Sequence, residues 1–272
     1  MYFSTMIIVT ILGAGNVAHH LYKAFSTSDK IKVNQWYNRH LEHLQMFKNN
    51  VEIIDDIILL KEADVYFIAV SDDAVAELSE QLPFTNKLVI HTSGSVNLHH
   101  LDKKNRRGVF YPLQTFSKDA ELNFNDVPIC IEVEHKADYH ILKDIAIAIG
   151  SPYHRVNSPQ RAALHLAAVF VNNFTNQLYR VGHEITESES VDFNILKPLI
   201  KETAKKLDTL SPYMAQTGPA KRNDKKTIKK HLDTLDKEIH KDIYKLLTKS
   251  IKETHGASTS SALKKSNSQK SN

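Results

Sequence analysis

The sequence predicts an α/β fold, with a mostly parallel sheet in the first half of the chain and an all-helical domain in the second. Three observations carry this reading. Short apolar runs alternate with helical patterns from residue 7 to about 149, and the turn Gly13-Ala14-Gly15 lies between the first run and the first helix. After Pro159 no strand signal recurs. Strands alternating with helices of this length imply βαβ units, and near-continuous apolar strands suit a sheet covered on both faces.

Taken in order, Ile7–Leu12 is a compact β-rich run, and Asn16–Phe25 reads as a helix. Lys32–Tyr37 is a second strand, His40–Lys48 a short helix and Val51–Ile54 a brief strand. Asp64–Val70 is strongly apolar and precedes a helix over Asp73–Gln81; Lys87–His91, Val109–Tyr111 and Ile129–Val133 are further strands. A helix from about Lys136 to Ile149 closes the series. Gln160–Glu187 then reads as one long helix and Asp192–Leu210 as another, with Pro198 bending its second turn. Ser211–Asp224 is a loop, and two basic amphipathic helices follow over Lys225–Leu235 and Glu238–Glu253. The expected organisation is a nucleotide-binding domain over 1–157, a helical substrate and dimerisation domain over 158–255, and a disordered tail over 256–272. The tail is mostly Ser, Lys, Asn and Ala with one Leu, too little apolar surface to order itself.

Composition excludes several classes. Over 272 residues the net charge is +4, but it is divided unevenly. Through Ala220 there are 21 Lys and Arg against 25 acids, and the last 52 residues hold 14 against 6. A nucleic-acid role would rest on the C-terminus alone. One cysteine, Cys130, leaves no internal disulfide framework and no Cys-based zinc cluster. Met6–Leu12 lacks the basic flank and length of a signal segment, and no run approaches the ~20 apolar residues of a membrane span. The expectation is a soluble cytoplasmic protein. Fifteen histidines include His19-His20, His99-His100, and His40 with His43, yet none sits in a ligand-spaced motif, so surface histidines and no metal are expected.

The turn from Gly13 to Ala18 fits a dinucleotide fingerprint. Gly13 serves the tight turn, Gly15 the close approach of a pyrophosphate, and the small Ala18 the packing of helix on strand. The amides at Asn16 and Val17, at the helix N-terminus, then face phosphate. At the end of the second strand stand Asn38 and Arg39, with no carboxylate where NAD enzymes usually place one. Arg39 favours NADP, since a charge-assisted hydrogen bond to a 2′-phosphate is worth ~1.5–3 kcal/mol; the alternative is a solvated strand-end Arg. Val70, Ser71 and Asp72 end another strand, where they meet the cofactor; the alternative for the Ser71 and Asp72 side chains is to cap the next helix. Thr92, Ser93 and Gly94 form a small turn that lets nicotinamide or substrate approach, and Gln114 or Thr115 adds to a pocket wall.

On the long helix, Arg161, His165, Asn172 and Asn176 share a stripe about 60° wide at ~100° per residue, with Asn173 pointing elsewhere. A buried polar stripe is costly unless satisfied. It either packs on a partner helix or lines a pocket in which His165 donates a proton and Asn172 orients substrate. Arg222, in Gly218-Pro219-Ala220-Lys221-Arg222-Asn223-Asp224, either anchors a substrate carboxylate or faces solvent; Asp224 or Asn223 caps the next helix.

Together, Ile11 to Ala18, His91 to Ser95, Tyr111 to Phe116, the Arg161–Asn173 helix and Gly218 to Arg222 resemble an uncharacterised bacterial family of Rossmann-like NADP oxidoreductases, over about Met6 to Lys252. More remotely the chain is similar to pyrroline-5-carboxylate reductase, ketopantoate reductase and the β-hydroxyacid dehydrogenases. The resemblance implies an NADP-binding domain, a helical domain, a homodimer formed through the helices and an active site in the interdomain cleft. The chain departs from the β-hydroxyacid dehydrogenase pattern, whose long helix carries Lys one turn before Asn: here Ala168 precedes Asn172 and Val169 precedes Asn173. The function expected is an NADPH-dependent reductase of a small carbonyl or imine compound, with His165 and Asn172 catalytic and Gln114, Arg161 and Arg222 on the substrate. The alternatives are an NADP-binding sensor without turnover and a turn used for S-adenosylmethionine.

Overall fold

The computed structural model describes residues 6–118 and 120–256. An eight-stranded sheet runs in the order β3-β2-β1-β4-β5-β6-β7-β8, comprising β1 (Ile7–Leu12), β2 (Ile31–Tyr37), β3 (Glu52–Ile54), β4 (Val65–Ile68), β5 (Leu88–His91), β6 (Arg106–Pro112), β7 (Ile129–Val133) and β8 (Tyr153–Arg155). Every pairing is parallel except β6 with β7, where Tyr111 opposes Cys130. The order reverses across β1 and β4, the switch point beside which open α/β sheets bind ligands.

Alternation along the strands sends successive side chains to opposite faces, and both faces are covered. Val9, Ile11, Phe67, Ile90 and Phe110 pack with Leu21 and Phe25 of α1 (Asn16–Ser26) and Leu142 and Ile145 of α3 (Tyr139–Ala148). Leu12, Tyr66, Ile68 and Val89 pack on the other face with Val75 and Leu78 of α2 (Val75–Gln81). Trp36 lies in the first layer, stacked on Tyr22 at 4.6 Å, and its indole N–H donates to the Gly13 carbonyl at 2.6 Å.

Local chemistry alters several predicted elements. Residues 40–48 form two 3-10 turns, Leu41–His43 and Gln45–Phe47, rather than a helix. Strand β8 has three residues and no apolar run, so periodicity does not find it. The long helical stretch is α4 (Ser158–Ala168), a π-helical turn (Val169–Phe174) and α5 (Thr175–Ser188). Asn157 and Gln160 form a capping box at its start. Pro198 lies not in a second turn but in the first turn of α6 (Lys197–Lys205), after a 3-10 turn over Phe193–Leu196, where its missing N–H costs no bond. Within the expected loop, α7 (Pro212–Ala215) is capped by Ser211.

The chain divides into two compact units, Met1–Phe174 and Thr175–Asn272. The division falls beyond Asn157, and α4 is tied to the sheet: Arg161 pairs with Glu132 of β7, and Ser158 donates to the same carboxylate through its amide and its hydroxyl at 2.8 Å. The second unit holds α5, α6, α7, α8 (Lys225–Thr234) and α9 (Glu238–Gly256). Asp224 caps α8, accepting from the Thr227 amide at 3.0 Å. Glu184 is a charge hub: it accepts from Arg180 at 3.0 Å and Lys237 at 2.7 Å, and lies 3.4 Å from His240. Lys237 foremost and then Arg180 hold its carboxyl below the usual range. The expected tail lies, apart from Gly256, outside the described residues. Among the described residues no helix is long and apolar enough to cross a membrane.

Candidate functional site

A cleft of about 690 Å³ opens at the carboxyl ends of β1, β2, β4 and β5. Of the residues expected to hold a dinucleotide, Gly13, Gly15, Asn16, Val17, Asn38, Arg39, Val70, Ser71, Thr92 and Ser93 all line it. Gly13 has φ +115°, and a Cβ there would run into the Ala69 carbonyl, so only glycine lets the turn pass beneath β4. Gly15 is the N-cap of α1 and supplies no side-chain cap, so the amides of the helix's first turn keep their capacity to donate. The turn is braced from behind, since the Gly13 amide donates to the Tyr37 carbonyl at 2.9 Å and the His19 ring lies 3.0 Å from the Gly15 carbonyl.

The cleft is polarised. Arg39, His40 and His43 line it beyond β2, whereas Asp72 and Glu77 line it beyond β4. The side-chain amide of Asn38 donates to the His40 carbonyl at 2.8 Å and so shapes the turn that presents Arg39. Neither reading of Ser71 and Asp72 as caps holds by side-chain bonds. The 3-10 turn Asp72–Ala74 has no side-chain cap, and Asp72 instead accepts from the Ser95 hydroxyl.

The Thr92-Ser93-Gly94 turn is set by a buried histidine. His91 is fully buried and pushed down to about 3, by burial first and Arg161 second. The ring is therefore neutral, and its Nδ1 accepts from the Ser93 amide at 3.2 Å. The Ser93 hydroxyl then accepts from the amides of Ser95 and Val96, both at 3.1 Å.

Gly94 alone of the expected cofactor residues does not line the cleft. It follows Ser93, which lines the cleft, and lies beside a second cavity of about 390 Å³ lined by Tyr111, Gln114, Thr115, His165, Asn172 and Asn173 among others. A Cβ at Gly94 would lie 2.7 Å from both His165 Nδ1 and Tyr111 Cζ. The Tyr111 hydroxyl is 3.2 Å from His165 Nδ1. The cavities also share the segment after β6: Gln114 and Thr115 line the second, Phe116 the first. Asn16 holds this segment by donating to the Phe116 carbonyl at 2.8 Å, and the His20 ring lies 2.9 Å from the Ser117 carbonyl.

The structure places several of the expected residues differently. Asn173 joins Asn172 in the cavity wall because the π-helical turn inserts extra residues per turn and shifts the phase that 100° spacing assumes. Asn176, expected on the same stripe, belongs to the second unit. Arg161 is no substrate ligand: it is 1% exposed, ion-paired with Glu132 and bonded to the Val96 carbonyl and Ser158. Arg222, left between a substrate anchor and a solvated cation, lies exposed in the turn before α8, in the second unit. The paired histidines His19 and His20 are buried rather than on the surface, held by the carbonyls named above. Tyr111 and Phe116 were missed as site residues, although the strand-end rule that singled out Thr92 applies equally to the end of β6.

The family model described as NADP oxidoreductase coenzyme F420-dependent matches residues 8–94, and that of a domain of unknown function, DUF2520, matches 127–251. A solved structure described as a putative NADP oxidoreductase from Bacteroides fragilis is 35% identical, with a TM-score of 0.80 over 91% of this chain and 98% of that one. A pyrroline-5-carboxylate reductase from Coxiella burnetii shares the fold at 18% identity and a TM-score of 0.56, over 92% of this chain and 99% of that one. A reductive aminase from Aspergillus terreus, solved with NADPH and ethyl levulinate, does so at 14% and 0.66, over 93% and 96%. None of the curated proteins matches the chain.

Proposed function

The chain belongs to the NADP oxidoreductase-like family of the Bacteroides fragilis structure, and on that premise we propose that it reduces a small carbonyl or imine compound with NADPH. The observation that carries the reading is the place of Gly94, next in the chain to Ser93 in the wall of the cleft headed by the glycine turn and against His165 and Tyr111, which with Asn172 and Asn173 wall a second cavity. The residues fit the cofactor: Gly13 clears the path of the turn, the amides after Gly15 receive the pyrophosphate, Arg39 takes the 2′-phosphate, and Thr92 and Ser93 bound the nicotinamide end. Bound there, NADPH supplies the hydride. The chain's own part is to orient the substrate through the Asn172 amide and the wall at Gln114, and to provide a proton from His165 to the oxygen or nitrogen as its carbon is reduced.

Arg39 separates this reading from NAD, and a ligand comparison separates it from coenzyme F420 and S-adenosylmethionine. In thermal-shift titrations NADPH at ~100 times its Kd adds ~2.7 kcal/mol of stability, and the other three ligands add less. Arg39→Ala weakens NADPH by about one to two decades, the worth of one charge-assisted bond, and leaves NADH unchanged. Equal losses for both dinucleotides would remove Arg39 from the 2′-phosphate.

We also infer a homodimer. Leu166, Phe170, Val171 and Phe174 are half or more exposed along α4 and the π-helical turn, and in the second unit Ala220 is the one buried apolar side chain among the described residues. Helices this apolar on their outer faces need a covering surface. Light scattering is expected to return twice the chain mass; a monomer at micromolar concentration would refute the dimer.

A further inference from the structure

We propose that Tyr111 is the positioning residue for His165, its hydroxyl occupying Nδ1 so that Nε2 is the ring atom that exchanges a proton with the substrate. The inference rests on the reading of His165 as the acid and adds a residue and an atom to it. Tyr111 sits near the end of β6, opposite Cys130 of β7, with 9% of its surface exposed. Its Oη lies 3.2 Å from Nδ1, and the two rings meet edge to face with centroids 6.2 Å apart. The Ser93-Gly94 turn closes the same edge of the imidazole, so close that a Cβ on Gly94 would sit 2.7 Å from Nδ1. Nδ1 therefore faces two groups anchored in the sheet, while the ring lines the cavity with Asn172 and Asn173. The two nitrogens flank one ring carbon, so closing the Nδ1 edge leaves Nε2 for the cavity.

The chemistry of the partner supports this role. Burial foremost, then Cys130, holds the Tyr111 phenol above its ordinary value, so it remains a neutral hydroxyl that can accept as well as donate. Other charged groups near Tyr111 have their own partners: Arg161 is bound to Glu132 and Asp72 to Ser95. In the step itself, the carbon of the C=O or C=N bond takes the hydride and the π pair moves to oxygen or nitrogen. That atom takes the proton from Nε2 of the imidazolium, and the electron pair of the broken N–H bond stays on Nε2. The neutral ring left behind carries its hydrogen on Nδ1, and the Tyr111 oxygen accepts it. Neutral imidazole side chains without such a partner prefer the Nε2–H form, and the bond made at one nitrogen decides the tautomer.

The test uses the full chain labelled with 15N-histidine, as wild type and Tyr111→Phe, read by long-range 1H–15N spectra at a pH where the ring is neutral. His165 is identified by the signal lost in His165→Gln. Wild type is expected to show the Nδ1–H tautomer, and Tyr111→Phe to revert to Nε2–H with NADPH affinity unchanged. With NADPH and 1-pyrroline, Tyr111→Phe is expected to lower kcat about tenfold, the effect of ~1.4 kcal/mol, with KM changed less than twofold. An Nε2–H ring in wild type, or the same tautomer in both proteins, overturns the assignment of Tyr111 and leaves His165 as a candidate acid. Wild-type turnover in His165→Gln overturns the acid reading and this proposal with it.

Discussion

Replacing Gly13 by Ala is expected to cost about 2–6 kcal/mol of stability and at least 100-fold in NADPH affinity. Two terms add. At φ +115° an L-residue is strained, which costs on the order of 1–3 kcal/mol. Its Cβ would also meet the Ala69 carbonyl and Val70 Cγ1, and overpacking of this kind costs ~1–3 kcal/mol more. The clash is with backbone, which cannot swing aside, so the turn must move and take the first-turn amides with it. Gly15→Ala is the control. There φ is −76° and a Cβ would lie 4.0 Å from its nearest neighbour, the Ala69 carbonyl. The fold should keep its stability within about 1 kcal/mol, as expected away from strained sites, while a methyl in the path of the pyrophosphate weakens NADPH. Urea denaturation and a fluorescence titration of NADPH read the two effects separately. Unchanged stability in Gly13→Ala would mean that the turn is not held as described.

The second large effect is expected at Arg161. It is 1% exposed and Glu132 15% by side chain, and Glu132 also accepts from the Ser158 amide and hydroxyl at 2.8 Å. Ser158 in turn accepts from the Leu98 amide at 3.1 Å, and Arg161 donates to the Val96 carbonyl. One buried pair thus ties β7, the segment after β5 and the first turns of α4. Removing one partner of such a pair leaves a buried charge uncompensated, a loss of ~3–5 kcal/mol. Arg161→Met is therefore expected to lower the unfolding free energy by about that amount, and adding Glu132→Gln to recover part of it. A loss below about 1 kcal/mol would place the pair among solvated surface bridges. His165 lies four residues beyond Arg161 on the same helix face, so the same tether holds the imidazole at the cavity.

Much of the first unit was legible in residue order. The runs Ile7–Leu12, interrupted only by Thr10, and Val65–Val70 are apolar because their strands are covered on both faces, and that pattern survives in any register. The glycine turn was legible because its demands are local: a positive φ, a short side chain and a helix start within a few residues. The same holds for Asn38 and Arg39, which follow directly from where β2 ends. Arg161 was misread for the opposite reason. A cation on an apolar helix looks like a ligand until its counter-ion is known, and Glu132 lies 29 residues earlier on another strand.

Asn173 shows a second limit. Helical phase can be read from sequence only while the hydrogen-bond ladder is regular, and the π-helical turn over Val169–Phe174 breaks that rule without a Gly or Pro to announce it. The sequence alone determined the α/β class, the glycine turn and the cationic end of the cleft, since each depends on neighbours within one or two elements. Tertiary structure decided which polar residues meet: Tyr111 with His165, Gly94 against both, and Arg161 with Glu132. These contacts join residues from 17 to 71 positions apart, and no local periodicity encodes a pairing that only the stacking of β5, β6 and β7 against α4 brings about.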